Sequence, residues 1–217
     1  IDWFDYSTRT GIMQNYSASV SGATEKMNYY LSGTYTDQEG VVKGDDYDRT
    51  VLTARIQTDI TNWLQVGGQV NYAYNDYSGP SVYDLYQAIR LSPYGRAERA
   101  DGGGVEKFPV NEGIYRINPL WNVESGTIDD HDTYSTVSMK GHALVKCPWI
   151  EGLTYRLNGS YSIENIERDY FTHEGYYVKE GTGDDRYSES AVSDYLASAN
   201  GYSARTKNTS WVLDNII

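Results

Sequence analysis

Residues 153–164 read LTYRLNGSYSIE. Leu153, Tyr155, Leu157, Tyr161 and Ile163 fall on odd positions, while Thr154, Arg156, Asn158, Ser160, Ser162 and Glu164 fall on even ones. Successive side chains of a β-strand point to opposite faces, so this segment has one apolar side and one polar side. Five further stretches carry the same period: residues 12–22, 27–36, 49–59, 64–75 and 134–147. A seventh begins within residues 209–217, with Trp211, Leu213 and Ile217 on one face. None of them repeats apolar residues at i, i+3, i+4 and i+7, and their Tyr, Val, Thr and Ile content favours strand over helix.

The connectors alternate as well. Residues 23–26, 60–63 and 148–152 are short links, and residues 38–48, 77–133 and 166–208 are longer ones. Long irregular loops are uncommon inside compact soluble domains, whereas outer-membrane barrels pair short periplasmic turns with long external loops. The expected fold is therefore all-β, an antiparallel up-and-down transmembrane barrel segment of about seven strands. Two hairpins repeat one plan: TARIQTDITNWLQVGGQVNYAYND at 53–76 and GHALVKCPWIEGLTYRLNGSYSIEN at 141–165. Each is an alternating strand, a tight turn carrying a Trp, and a second alternating strand. Trp63, Trp149, Tyr72 and Tyr74 are expected in an interfacial aromatic girdle. In a soluble sheet they would instead pack on hairpin neighbours.

Composition narrows the class. Of 217 residues, 22 are Tyr and only 3 are Phe, a bias suited to surfaces that are apolar on one side and wet on the other. Mean hydropathy is −0.61, and no run of about eighteen apolar residues suggests a membrane helix. A net charge of −12 argues against nucleic acid, which selects clustered cations. The lone Cys147 excludes an intrachain disulfide framework. No signal peptide stands at the first residues. Seven strands is an odd number for a bacterial barrel, and the sequence stops inside an apparent strand, so an internal piece of a longer barrel is expected.

The sequence MQNYSASVSGATEKMNYYLSGTYTDQEGVVKGDDYDR at 13–49 resembles a signature region of the SusC/RagA-type TonB-dependent transporters of Bacteroidetes. DITNWLQVGGQVNYAYND at 59–76 is similar to the strand pair that follows it. LSPYG at 91–95 and NPLWNVE at 118–124 are similar to the next external loop, and VLDNII at 212–217 to the start of a later strand. The resemblance is weak between about residues 166 and 207. It implies a plugged barrel of about 22 strands, located in the cell outer membrane. It also implies a SusD-like surface lipoprotein as partner, TonB as energy source through an N-terminal region outside these residues, and uptake of glycans, oligosaccharides or peptides. Residues 1–217 would then be one part of that barrel domain, without plug or remaining strands.

The loop at 77–133 supplies the candidate contacts for substrate or partner: Tyr83, Tyr86, Tyr94, Arg96, Tyr115 and Trp121. Aromatic faces beside polar groups suit sugar or peptide. Singly, each could merely pack the loop. The stretch SVYDLYQAIRL at 81–91 has the spacing of a short helix. Three acidic clusters, Asp45-Asp46-Asp48, Asp129-Asp130-Asp132 and Asp184-Asp185, lack the spacing of a calcium loop and read as solvated surface. His131, His142 and His173 form no metal-ligand spacing, and no nucleophile elbow or phosphate loop is present. Glu164 and Glu167 sit at a strand end with no pocket implied. Neither enzyme, metal nor cofactor is expected. The rival readings are a soluble or surface carbohydrate-binding β-domain, and a small closed barrel with an eighth strand within 166–207.

Overall fold

The alternation decides the architecture. In the computed structural model, which describes residues 1–82, 85–100, 102–110, 116–172 and 200–217, seven strands form one antiparallel sheet in sequence order. They are β1 (Ile12–Ala23), β2 (Met27–Glu39), β3 (Asp46–Asp59), β4 (Leu64–Asp76), β5 (Ile128–Lys146), β6 (Thr154–Thr172) and β7 (Asn200–Ile216). Three short helices precede or interrupt them: α1 (Trp3–Ser7), α2 (Leu85–Ala88) and α3 (Trp121–Glu124). Among the described residues the sheet is not closed, and β1 and β7 are its two edges.

Register carries the two faces across all seven strands. Val20, Leu31, Ala54, Val70, Met139, Tyr161 and Trp211 stand side by side in one row. One residue away along each strand, on the opposite face, Ser19, Ser32, Thr53, Asn71, Ser138, Ser162 and Ser210 form another. A slip of one residue in any pair would mix the rows. The polar row is knit by side-chain bonds, Thr53 Oγ1 to Asn71 Oδ1 at 3.1 Å and Ser138 to Ser162 at 3.0 Å. The apolar row is bare: Val20, Leu31, Met139 and Trp211 are all exposed, Trp211 at 72%. An uncovered apolar face running the width of a sheet marks a surface that meets something other than water.

Several strands are longer than their alternation indicates. β5 starts at Ile128, β6 continues to Thr172 and β7 starts at Asn200, so the links of 77–133 and 166–208 shrink to 77–127 and 173–199. The link of 38–48 becomes a tight turn at 40–45. The added segments carry charged residues on both faces, as at Asp129 to Asp132 and Arg168 to Asp169. Alternation is lost where charged residues occupy both faces.

Interior packing lies outside the sheet. One buried cluster joins Val82, Val105, Leu120 and Trp121, with Tyr6, Val42 and Val123 against it. A second joins Trp3, Ala88 and Leu91. The N-terminal helix, the β2–β3 turn and the β4–β5 loop thus form a cap at one end of the sheet. Among the described residues no helix is long and apolar enough to cross a membrane. Strands do that in a barrel.

Candidate functional site

The cap is held by specific polar contacts. Asp2 Oδ1 accepts from the backbone N–H of Phe4 and Asp5 at 3.0 and 3.1 Å, starting α1. The Trp3 indole N–H then donates to the Ser92 carbonyl at 2.8 Å. Arg9 donates to the Gly40 carbonyl at 3.0 Å and pairs with Asp46, tying the N-terminal segment to the β2–β3 turn. Asn118, fully buried, donates from Nδ2 to the Ala97 carbonyl at 3.0 Å and accepts from Leu120 N–H at 3.0 Å. The NPLWNVE segment is therefore the interior pivot of the long loop.

Of the loop residues singled out by sequence, Tyr83 and Tyr115 lie outside the described residues, as do His173 and Asp184-Asp185. Tyr86 is exposed, with the Arg90 guanidinium 5.2 Å from its ring centroid. Tyr94, at 97% exposure, tips the Ser92–Gly95 turn. Arg96 reaches the buried Glu106 carboxylate at 3.4 Å. Trp121 is 7% exposed and belongs to the loop's own core, with Lys107 Nζ 5.3 Å from its ring. Among the described residues, Trp121 is core while Tyr86 and Tyr94 stand in solvent, so these side chains do not share one pocket. Burial pulls the Lys107 ammonium down to about 7, because a charged group is disfavoured away from water.

Aromatic residues divide between the faces. On the apolar face, Tyr16, Tyr35 and Tyr74 share a row with Thr50 at the cap end of the sheet. At the other end Trp63 and Trp149 are exposed in the short turns. Leu64 and Tyr74 lie ten residues apart on β4. At about 3.3 Å per residue and a tilt near 40°, that spans about 25 Å, the height of an outer-membrane apolar band. Tyr72 sits one row inside Tyr74, between Leu52 and Val137.

A second aromatic set, which sequence reading missed, lies on the polar face at the cap end. Tyr47 and Tyr77 stack at 4.8 Å with 28° between their planes, and Tyr134 meets Tyr77 edge-on at 5.6 Å. Arg168 lies 5.3 Å from the Tyr134 ring centroid, bonds its hydroxyl, and pairs with Asp132 at 3.2 Å. On the next row Tyr170 and Tyr202 stack at 5.9 Å. Strand parity was the available signal, but Tyr47 and Tyr77 lie just beyond the stretches whose alternation is clean.

Comparison with known proteins agrees with this geometry. No family model matches the chain. TonB-dependent receptor P26 of Formosa agariphila is 26% identical over 220 residues, which cover 100% of this chain and 20% of that protein. TonB-dependent receptor P3 of the same organism is 26% identical over 180 residues, 76% of this chain and 17% of that protein. The structure of the RagAB peptide transporter superposes with a TM-score of 0.63 at 20% identity, over 79% of this chain and 20% of that one. The chain spans about a fifth of the length of the curated relatives it matches. Fold and faces define the class: an open sheet of β-barrel wall with an elaborated loop cap. Within that class, the chain is related to the SusC/RagA type of TonB-dependent transporter.

Proposed function

We propose that these residues form part of the barrel wall of an outer-membrane TonB-dependent nutrient importer, acting in the cell outer membrane. The observation that carries this reading is the register: seven strands hold an exposed apolar row on one face and an uncharged polar row on the other. The apolar face meets lipid, and the polar face lines a lumen. Tyr72, Tyr74, Trp63 and Trp149 serve as interfacial girdle residues.

Transport at this segment is passive. The wall bounds the path, and TonB acts through a region elsewhere in the protein. The cap surface carrying Tyr86, Tyr94 and Arg96 meets a SusD-like lipoprotein or the incoming substrate, an oligosaccharide or peptide. No catalytic step is assigned, and the named relatives are receptors and transporters. A soluble carbohydrate-binding β-domain would have to cover the apolar face that stands exposed here.

The test is the location and intact mass of the native polypeptide that carries this sequence. We expect it in the outer-membrane fraction, released by detergent, at several times the 24.5 kDa of these residues. Recovery as a soluble 24.5 kDa protein would overturn the reading in favour of a self-contained β-domain.

A further inference from the structure

Two cations share one row of the polar face: Arg55 on β3 and Lys140 on β5, with Gln69 of β4 between them. We infer that Arg55 and Lys140, with His142 one row nearer the turns, form an oxyanion site in the wall, taking a carboxylate, phosphate or sulfate group; that this site faces a lumen rests on the importer reading above.

Three observations support it. The first is charge. The other members of the row, Ser21, Tyr30, Gln69, Ser160 and Val212, are uncharged. The next row toward the cap, from Ser19 to Ser210, is uncharged throughout. The next row toward the turns has its one carboxylate at Asp214, on β7. At about 4.8 Å per strand and 3.4 Å per residue, that lies about 12 Å from Lys140 between Cα atoms. Among the described residues neither Arg55 nor Lys140 forms an ion pair. The chain carries a net charge of −12, so this is not one sample of a basic surface. Two like charges about two strand spacings apart repel, and an anion between them reverses the sign.

The second is orientation. Arg55 Nε and Nη2 donate to Gln69 Oε1 at 3.1 and 2.9 Å, which turns the guanidinium along the row toward Lys140. Gln69 Nε2 in turn donates to Asn71 Oδ1 at 3.0 Å, an atom that also accepts from the Thr53 hydroxyl at 3.1 Å. This chain of bonds holds the Gln69 oxygen toward Arg55. The remaining guanidinium N–H groups and the Lys140 ammonium can only donate. Cationic donors on both sides of a neutral amide match the clustered acceptors of an oxyanion.

The third is room. Arg55, Gln57, Gln69, Lys140, His142 and Asn158 line a concavity of about 490 Å³. Gly67 leaves space for the His142 ring, since an added Cβ would lie 2.3 Å from its Cε1. The volume exceeds that of a bare oxyanion, so the group can arrive attached to a larger body. It can come from solution, or as a carboxylate side chain from elsewhere in the polypeptide.

The experiment uses the full-length protein purified in detergent, at low and at high salt. Isothermal titration with sodium phosphate and sodium sulfate is combined with thermal melting. Variants are Arg55→Gln, Lys140→Gln, the charge-keeping Lys140→Arg and, on the opposite face, Lys207→Gln; outer-membrane abundance reports folding. If the oxyanion comes from solution, phosphate or sulfate binds wild type. Binding is then about ten-fold or more weaker in each of Arg55→Gln and Lys140→Gln, and Lys140→Arg and Lys207→Gln stay within about three-fold. If a carboxylate of the polypeptide already occupies the site, neither salt binds. Lys140→Gln then melts lower than wild type, by a margin that fades as salt screens the pair, while Lys140→Arg and Lys207→Gln melt as wild type. Lys140 has no hydrogen-bond partner among the described residues, so that loss cannot come from a bond within this sheet. Three results overturn the site. One is anion binding that Arg55→Gln and Lys140→Gln leave unchanged. Another is no anion binding with Lys140→Gln melting at or above wild type, the sign expected when a repelled charge is removed. The third is a melting loss that salt does not alter or that Lys207→Gln shares. None of these results bears on where the polypeptide resides, so failure of the importer reading shows separately, in the fractionation.

Discussion

At Gly44 φ is +79°, and an added Cβ would lie 2.3 Å from the Pro80 carbonyl oxygen and 3.0 Å from Val123 Cγ2. The oxygen belongs to backbone, which cannot swing aside. Gly44→Ala should therefore loosen the cap by about 2 kcal/mol or more, combining left-handed strain with the clash. Faster hydrogen exchange across 77–127, with the strands unaffected, is the expected readout. Lys107 gives a pH dependence with a definite sign. Its folded pKa is about 7, against about 10.4 unfolded. Below about 7 both states carry the proton, and the cost of burying the cation is present in full. Between about 7 and 10.4 the unfolded loop binds a proton that the folded loop does not, so cap stability rises with pH across that window. Proteolysis of the cap should slow between pH 7 and 9, and Lys107→Met should flatten the profile. A steeper profile in Lys107→Met would contradict the assignment. Residue identity alone could not separate Trp121 from Tyr94. Both are aromatics in one loop, yet one is core and the other fully solvated, because the loop folds on contacts that follow no period.

A single strand contains its own control. On β5, Met139 stands between Val70 and Tyr161 in the apolar row, and its neighbour Ser138 stands in the polar row. Arg at the lipid face of a barrel costs about 2–4 kcal/mol near the midplane. Met139→Arg should lose that much in denaturant unfolding of the full-length protein in lipid. Ser138→Arg should lose only the bond to Ser162, about 1 kcal/mol. Equal losses would mean that parity does not set the environment. The same parity explains what the sequence made legible. β1 and β4 match their alternating stretches to within a residue, since each lies almost wholly in the two-faced zone. β6 and β7 run on through Ile166 to Thr172 and Asn200 to Asn208, where Arg205 on β7 pairs with Asp169 on β6. Those segments mix charged and aromatic residues on both faces, so no period announces them. The aromatic set of the polar face was hidden for a related reason: Tyr47, Tyr77 and Tyr134 are far apart in sequence and meet only once the register is set.

The whole sheet has two requirements that its strands do not satisfy alone. Its edges, β1 and β7, present open ladders, and backbone groups left unpaired in lipid cost several kcal/mol each. Under the barrel reading both edges are paired by further strands, and the faces must then differ in what reaches them. That difference is measurable at both edges in one experiment. Cys147 is the cysteine of these residues and lies in the β5–β6 turn, so the background is Cys147→Ser, with every cysteine elsewhere in the full-length protein replaced likewise. Into it go Ser19→Cys and Val20→Cys on β1, and Ser210→Cys and Trp211→Cys on β7, all in the full-length protein. Each pair is one residue apart on opposite faces. A charged, membrane-impermeant thiol reagent should label the two serine positions through the lumen and miss the other two. A lipid-soluble maleimide should label Val20→Cys and Trp211→Cys instead. Uniform labelling of all four by the charged reagent would leave no lipid-facing side. The apolar row would then have to be explained by protein covering it, as in a soluble sandwich. Reversal of the pattern would place Ser and Thr against lipid at the cost of unsatisfied hydroxyls, which the bonds along that row already argue against.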